Sequence, residues 1–308
     1  MSQAFVILNP CAAGGRAASL AAPVRQWLAS NAPDVPMFES DSVGRSVATL
    51  QCLPARTRVV LIGGDGTLHH MLPVLLTHRH SLGLVPLGSG NDTARALGLH
   101  GMPWQRALPH ALSGNPVRMD VGELLTARRR VPFVSSLAVG FDAAVSQRAI
   151  SGPPWLHGLP RYLWATLGEL ASLRTWDMRV TVDGALRHEG TALFASTLNT
   201  PSYGSGMPAV PHARLADGQL DLLVAGRFGR MSTLLMLPRL LGGAHLADER
   251  IKTWRFDTLH IDSTGDVPLA ADGEPLPASC DFEVRVRASA LSVVRGPQQA
   301  TLKSSAQV

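Results

Sequence analysis

"LIGGDGTLHH", residues 61–70, sets three glycines around one carboxylate, straight after an apolar run and straight before a helix-like stretch. Glycine loses more backbone freedom on folding than any other residue, so Gly63, Gly64 and Gly66 need a physical reason. Either the turn needs positive φ, or something approaches the backbone closely. The flanks give the context. Residues 4–8 (AFVIL), 58–62 (RVVLI) and 82–85 (LGLV) are short continuous apolar runs, the pattern of strands buried on both faces of a parallel sheet. Helix-like stretches at 16–30, 44–51, 67–77, 91–98 and 103–113 alternate with them, which implies βαβ units and an open α/β domain. GGDGT then lies at the carboxyl end of a parallel strand, where such sheets bind ligands. The helix N-terminus that follows offers unpaired N–H groups and a partial positive charge to phosphate.

Two more stretches share the design, "VPLGSGNDTARALG" at 85–98 and "LNPCAAGGRA" at 8–17. None is a P-loop or a G-x-G-x-x-G dinucleotide turn. A carboxylate beside a phosphate repels it unless Mg²⁺ lies between them, so Asp65 points to a nucleotide with a metal. The plain alternative is a tight turn with Thr67 capping the helix.

The chain of 308 residues is long enough for two domains, and 45% hydrophobic with 17% charged residues is globular composition. No apolar run is long enough for a transmembrane helix, and the N-terminus lacks the basic region of a signal peptide. Cys11, Cys52 and Cys280 lack metal-type spacing and read as reduced thiols of a cytosolic protein. The net charge of +5 is carried mostly by arginine. It fits either a phosphate-bearing partner or a genome bias toward arginine. No basic stripe with interleaved aromatics appears, which argues against a nucleic-acid partner. Beyond residue 115 the texture changes to short alternating strands with turn residues between them, read as an antiparallel sandwich. The expected layout is an α/β N-terminal domain, residues 1–120, with an open, mostly parallel sheet, followed by an all-β sandwich C-terminal domain, residues 121–308.

N-P-x-x-x-G, GGDGT and PLG-[ST]-GND, in this order, resemble the diacylglycerol kinase catalytic domain family, and the whole layout resembles its bacterial lipid kinase branch. "FVSSLAVGFDAAV", "YGSGMPAVPHARLADGQLDLLV" (203–224) and "ADGEPL" (271–276) extend the resemblance through the second half. NAD kinases share GGDGT, but their following asparagine–glutamate segment is not found here.

The resemblance implies a phosphofructokinase-like nucleotide domain, a β-sandwich, an active site in the cleft between them, and a C-terminal segment that returns to the first domain. It implies an ATP-dependent kinase that transfers the γ-phosphate to a hydroxyl of a membrane lipid such as diacylglycerol or phosphatidylglycerol, with ATP and Mg²⁺ as cofactors. Asp65 would hold the catalytic Mg²⁺, and Glu274 would take the proton from the lipid hydroxyl. Gly63, Gly64, Asp65, Gly66, Thr67, Leu68 and His69 would wrap the phosphates, joined by Asn9, Ser40, Gly88, Ser89, Asn91 and Asp92. His69 stands where asparagine is more usual, and Asn9 and Asn91 are also readable as caps. A second Mg²⁺ is implied on Asp217 with the carbonyls of Arg214 and Gln219; the plain reading there is an Asp-Gly turn. For D-G-E the plain reading is a type I′-like hairpin turn with Glu274 exposed. The competing functions are a soluble-substrate kinase of the NAD kinase type and a non-catalytic nucleotide-binding protein on the same fold.

The expected setting is cytoplasmic, with peripheral association at the inner leaflet, a lipid substrate at the membrane surface, and a homodimer as an open assembly state. The segment 153–176 carries Trp155, Tyr162, Trp164 and Trp176, with Arg161 and Arg174 flanking its apolar middle. Such residues suit a membrane interface, and they equally suit an amphipathic helix packed on the β domain.

Overall fold

The computed structural model describes residues 4–40, 42–88, 90–153 and 155–297. The first half runs β1 (Ala4–Leu8), α1 (Ala21–Asn31), β2 (Met37–Glu39), α2 (Val43–Cys52), β3 (Arg58–Gly63), α3 (Asp65–Thr77), β4 (Ser81–Pro86), α4 (Asp92–Ala96) and α5 (Trp104–Ser113). β1, β3 and β4 are continuous apolar strands because helices cover both of their faces, so neither face tolerates polar residues. They pair in parallel, Leu8 beside Ile62 and Gly63 beside Pro86, with β2 on the outer edge. The three glycine-rich turns therefore leave the same edge of the sheet.

The second half runs β5 (Pro116–Leu125), β6 (Arg130–Phe133), β7 (Ser136–Val139), α6 (Phe141–Ile150), α7 (Leu159–Ala171), β8 (Trp176–Val182), β9 (Ala185–Ala192), β10 (Phe194–Leu198), β11 (Leu220–Ala225), α8 (Arg230–Leu241), β12 (Ile251–Phe256), β13 (Thr258–Ala271) and β14 (Glu274–Val294). Its strands are antiparallel, around a core that includes Phe133, Leu222, Phe256 and Ile261. The sandwich also carries three helices, α6, α7 and α8, whose apolar faces share a second cluster with Leu223 and Ala225.

The halves share one sheet. β14 pairs with β13 and β5 in the sandwich, and its last residues, Ser292 and Val293, run parallel to Ser81 and Leu82 of β4. Leu291 and Val293 are buried in the core of the first half beside Leu72 and Leu82. The apolar stretch 130–140 is two strands with a break at Val134–Ser135. The break has a cause: the N–H groups of Val134, Ser135 and Ser136 turn toward the carboxylate of Asp272.

Because Leu291 reaches from the last strand into the first core, Leu291→Ala should lower unfolding free energy by about 2–5 kcal/mol, the usual cost of such a cavity. Urea denaturation followed in both halves checks this, and the two halves should lose structure together.

Candidate active site

Gly63, Gly64 and Gly66 all have negative or extended φ, so positive φ is not the reason for glycine here. Close approach is, and what approaches is the chain itself. A Cβ on Gly64 would lie 2.8 Å from Cα of Gly88, because the second and third glycine turns touch backbone to backbone. A Cβ on Gly66 would lie 2.4 Å from Oε1 of Glu274. GGDGT is thus packed against PLG on one side and against the D-G-E turn of the second half on the other.

Helix α3 begins at Asp65 with Gly64 as its N-cap, and its first intrahelical bond runs from Leu68 N–H to Gly64 O. The N–H groups of Asp65, Gly66 and Thr67 therefore precede the helical ladder and are available to an anion. Thr67 is not the cap; its Oγ1 accepts from Nδ2 of Asn9 at 2.8 Å, which ties the first glycine turn to the second. The Asp65 carboxylate accepts from the N–H groups of Asp92 (2.9 Å) and Thr93 (3.3 Å). It thereby caps the short helix α4, whose own N-cap residue, Asn91, is left-handed and turns its amide to Gly88 O at 2.6 Å. Asp92 passes the pattern on, receiving the N–H groups of Ser205 and Gly206 from the second half. Burial, with the Asp92 charge beside it, pushes the Asp65 carboxyl up to about 6, and burial raises Asp92 also.

Opposite these turns, Asp272 and Gly273 form the two-residue hairpin between β13 and β14, with φ of 50° and 85°. That is the type I′ geometry expected of D-G. Oδ2 of Asp272 lies 3.1 Å from Nδ1 of the buried His69. The hairpin is thus fastened to α3, and Glu274 projects beside Gly66. His70 Nε2 stands 3.8 Å from Glu274 Oε2.

A cavity of about 530 Å³ lies between the two halves, a size that suits a nucleotide. Asn9, Gly64, Asp65, Gly66, Thr67, Gly88, Asp92 and Glu274 line it. The other expected contacts are placed elsewhere. Gly63 is inside β3, Leu68 is in the core, and His69 faces Asp272. Asn91 braces the Gly88 turn, and the buried Ser40 donates its hydroxyl to Ser42 O. Ser89 lies outside the described residues. Arg214, Asp217 and Gln219 lie away from this cavity. The Asp217 carboxylate pairs with Arg255 and accepts the N–H of Gln219, the Asp-turn geometry of the plain reading. A cation held by Asp217 with the carbonyls of Arg214 and Gln219 would have to compete with Arg255 for that carboxylate.

Sequence reading missed Asp272, His70 and the Ser205–Gly206 backbone. "ADGEPL" and "YGSG" drew attention, but only contacts across the fold assign work to these residues.

Comparison with known proteins fits this geometry. Residues 3–124 match the diacylglycerol kinase catalytic domain, and residues 135–295 match the YegS C-terminal NAD kinase beta sandwich-like domain. A diacylglycerol kinase of Mycobacterium tuberculosis is 34% identical over 241 residues, 77% of this chain and 76% of that one. The chain belongs to the diacylglycerol kinase family. A diacylglycerol kinase of Bacillus subtilis is 26% identical over 70% of each chain. The crystal structure of a Bacillus anthracis diacylglycerol kinase superposes with a TM-score of 0.71 at 17% identity, over 96% of this chain and 97% of that one. Yeast NADH kinase shares the fold at a TM-score of 0.53 and 11% identity, over 96% of this chain and 84% of that one. Membership in the diacylglycerol kinase family makes the chain a phosphotransferase, and a kinase family implies ATP as donor.

The two glycine contacts differ in what must yield. Gly64→Ala sets Cβ against backbone and should cost about 1–3 kcal/mol. Gly66→Ala meets only the end of a mobile side chain, so it should melt within a few degrees of wild type while displacing Glu274 and slowing turnover. Melting curves and turnover of the two variants check the contrast.

Proposed function

We propose that the protein transfers the γ-phosphate of ATP to a hydroxyl of a membrane lipid, with Glu274 as general base. The observation that carries the proposal is the packing of the Glu274 carboxylate against Gly66, at the mouth of the α3 N-terminus. A base there faces the site where N–H groups would hold phosphate. An alcohol is a poor nucleophile near neutral pH, and a positioned carboxylate removes its proton as attack proceeds. The acceptor oxygen bonds to the γ-phosphorus, the bond to the bridging oxygen breaks, and ADP leaves with the electron pair. Phosphoryl transfer otherwise asks for positioning and charge neutralisation. The N–H groups of Asp65, Gly66 and Thr67 supply the first of these.

Mg²⁺ fits this site. Asp65 and Asp92 are buried carboxylates held close together; burial raises both, and the Asp92 charge raises Asp65 further. Their all-oxygen donor set suits a hard cation, and each Asp65 oxygen keeps a lone pair beyond its N–H bond. Asp65 would hold the ion, with Asp92 behind it, and the ion would neutralise phosphate charge. In this reading Asp65→Asn and Glu274→Gln each lower turnover by at least about a hundredfold while staying folded. A coupled ADP assay with Mg·ATP and lipid micelles checks both variants. Near-normal turnover by Glu274→Gln would remove it from the mechanism.

No described helix is long and apolar enough to cross a membrane. In this reading the lipid is reached from the surface, at the inner leaflet where ATP is available. In segment 153–176, Tyr162 and Trp176 pack inward, while Trp155 is 73% exposed and Trp164 is 38% exposed. Exposed tryptophan beside arginine suits a headgroup interface. Trp155→Ala combined with Trp164→Ala should weaken sedimentation with anionic vesicles several-fold and leave ATP affinity unchanged. Unaltered vesicle binding by the folded double variant would return this surface to ordinary solvent exposure.

A further inference from the structure

Two consecutive residues of α3, His69 and His70, each face one of the two carboxylates that flank Gly273. Successive helix residues project about 100° apart, so one histidine turns inward and the other toward the cavity. His69 is buried, and its Nδ1 meets Asp272 Oδ2 at 3.1 Å. His70 lines the cavity, and its Nε2 stands 3.8 Å from Glu274 Oε2. The two rings meet edge to face with centroids 5.3 Å apart, so each limits the other's rotation.

The Asp272 carboxylate is held from several sides, by three backbone N–H groups as well as His69. Glu274, next but one in the chain, has no such cradle. Its side chain is 35% exposed, and His70 is its one ion-pair partner among the described residues. Holding a long side chain in one rotamer opposes its conformational freedom and needs a partner. The two carboxylate oxygens also have different neighbours. Oε1 is the atom that a Cβ on residue 66 would strike, beside the N–H groups at the start of α3. Oε2 is the atom that faces His70.

We infer that His70 is the positioning residue of Glu274: its Nε2–H donates to Oε2 and so turns Oε1 toward the acceptor hydroxyl beside Gly66. The present separation exceeds a hydrogen bond by about 1 Å, which a small side-chain rotation closes. Catalytic hydrogen bonds are often long until the reacting complex tightens them. The neutral tautomer protonated on Nε2 and the imidazolium both carry the required N–H. His70 itself gains and loses no proton in the step. The hydroxyl proton passes to Oε1 as the new oxygen–phosphorus bond forms, and Glu274 later releases it to water. This role rests on Glu274 being the base of the proposed transfer, and it holds for whichever hydroxyl that base serves.

The test uses the full chain with γ-labelled ATP, Mg²⁺ and a total lipid extract in detergent micelles. His70→Ala should lower kcat about tenfold, short of the roughly hundredfold loss expected without the base itself. The KM for Mg·ATP and the melting temperature should stay near wild type. His70→Gln, whose amide N–H reaches the same region, should recover kcat to within about threefold of wild type. Adding His70→Ala to Glu274→Gln should cause no further loss, because a positioning residue has no effect once the group it positions is gone. A merely structural role would slow the Glu274→Gln enzyme as well and lower its melting temperature. Wild-type kcat in His70→Ala, or a further tenfold loss in the double variant, overturns the inference while lipid phosphorylation stands. If label enters only a water-soluble acceptor, the lipid reading falls, and the same pattern of kcat values on that acceptor upholds the role of His70 while a flat one overturns it.

Discussion

The carboxylate of Asp272 collects the N–H groups of Val134, Ser135 and Ser136 and faces Nδ1 of His69, and through these contacts it fixes one half of the molecule to the other. A type I′ hairpin alone would leave Glu274 on a solvent-exposed tip. Bonded on one side to the β6–β7 break and on the other to α3, the tip instead closes the cavity floor. Glu274 then stands where a Cβ on residue 66 would be, so the glycine of the first half is shaped by the carboxylate of the second. Remove the clamp and the base loses its place relative to the phosphate turn, although both turns would survive.

The remaining connections repeat the same device. Asp65 caps α4, Asp92 receives two N–H groups from 205–206, and Asn9 bridges the first two glycine turns. Backbone N–H groups partly compensate each buried charge, which permits several carboxylates to share a cleft. Compensation is incomplete at Asp65, whose carboxyl burial pushes up to about 6, and in the proposed reading a cation would supply the missing positive charge. Positioning by fixed dipoles needs no reorganisation during transfer, which is where catalytic advantage in phosphoryl chemistry arises.

Much of this was legible in the sequence because it is local. Continuous apolar runs ended by glycine turns gave the parallel strands, and alternation gave the antiparallel ones. The turns themselves could be placed at helix starts, and Glu274 could be singled out from its motif. What the sequence could not show depends on contacts between distant segments. His69 read as a phosphate contact because it follows directly on the GGDGT turn; its side chain points to a residue 203 positions away. Leu68 lies one position from it and faces the core, since helical periodicity distributes successive residues over different faces. The break at Val134–Ser135 was invisible because an apolar run with high strand propensity carries no sign of a carboxylate approaching from residue 272. α8 escaped for the opposite reason: apolar residues on both faces leave no amphipathic period to read.

The account rests on phosphate passing from ATP to a lipid hydroxyl across the gap between Asp65 and Glu274. Its most direct test is incubation of the purified protein with γ-labelled ATP, Mg²⁺ and a total lipid extract, followed by separation of organic and aqueous phases, with Glu274→Gln in parallel. The account requires label in a lipid product with wild type and at least about a hundredfold less with the variant. Label confined to a water-soluble acceptor, or equal lipid labelling by Glu274→Gln, contradicts it.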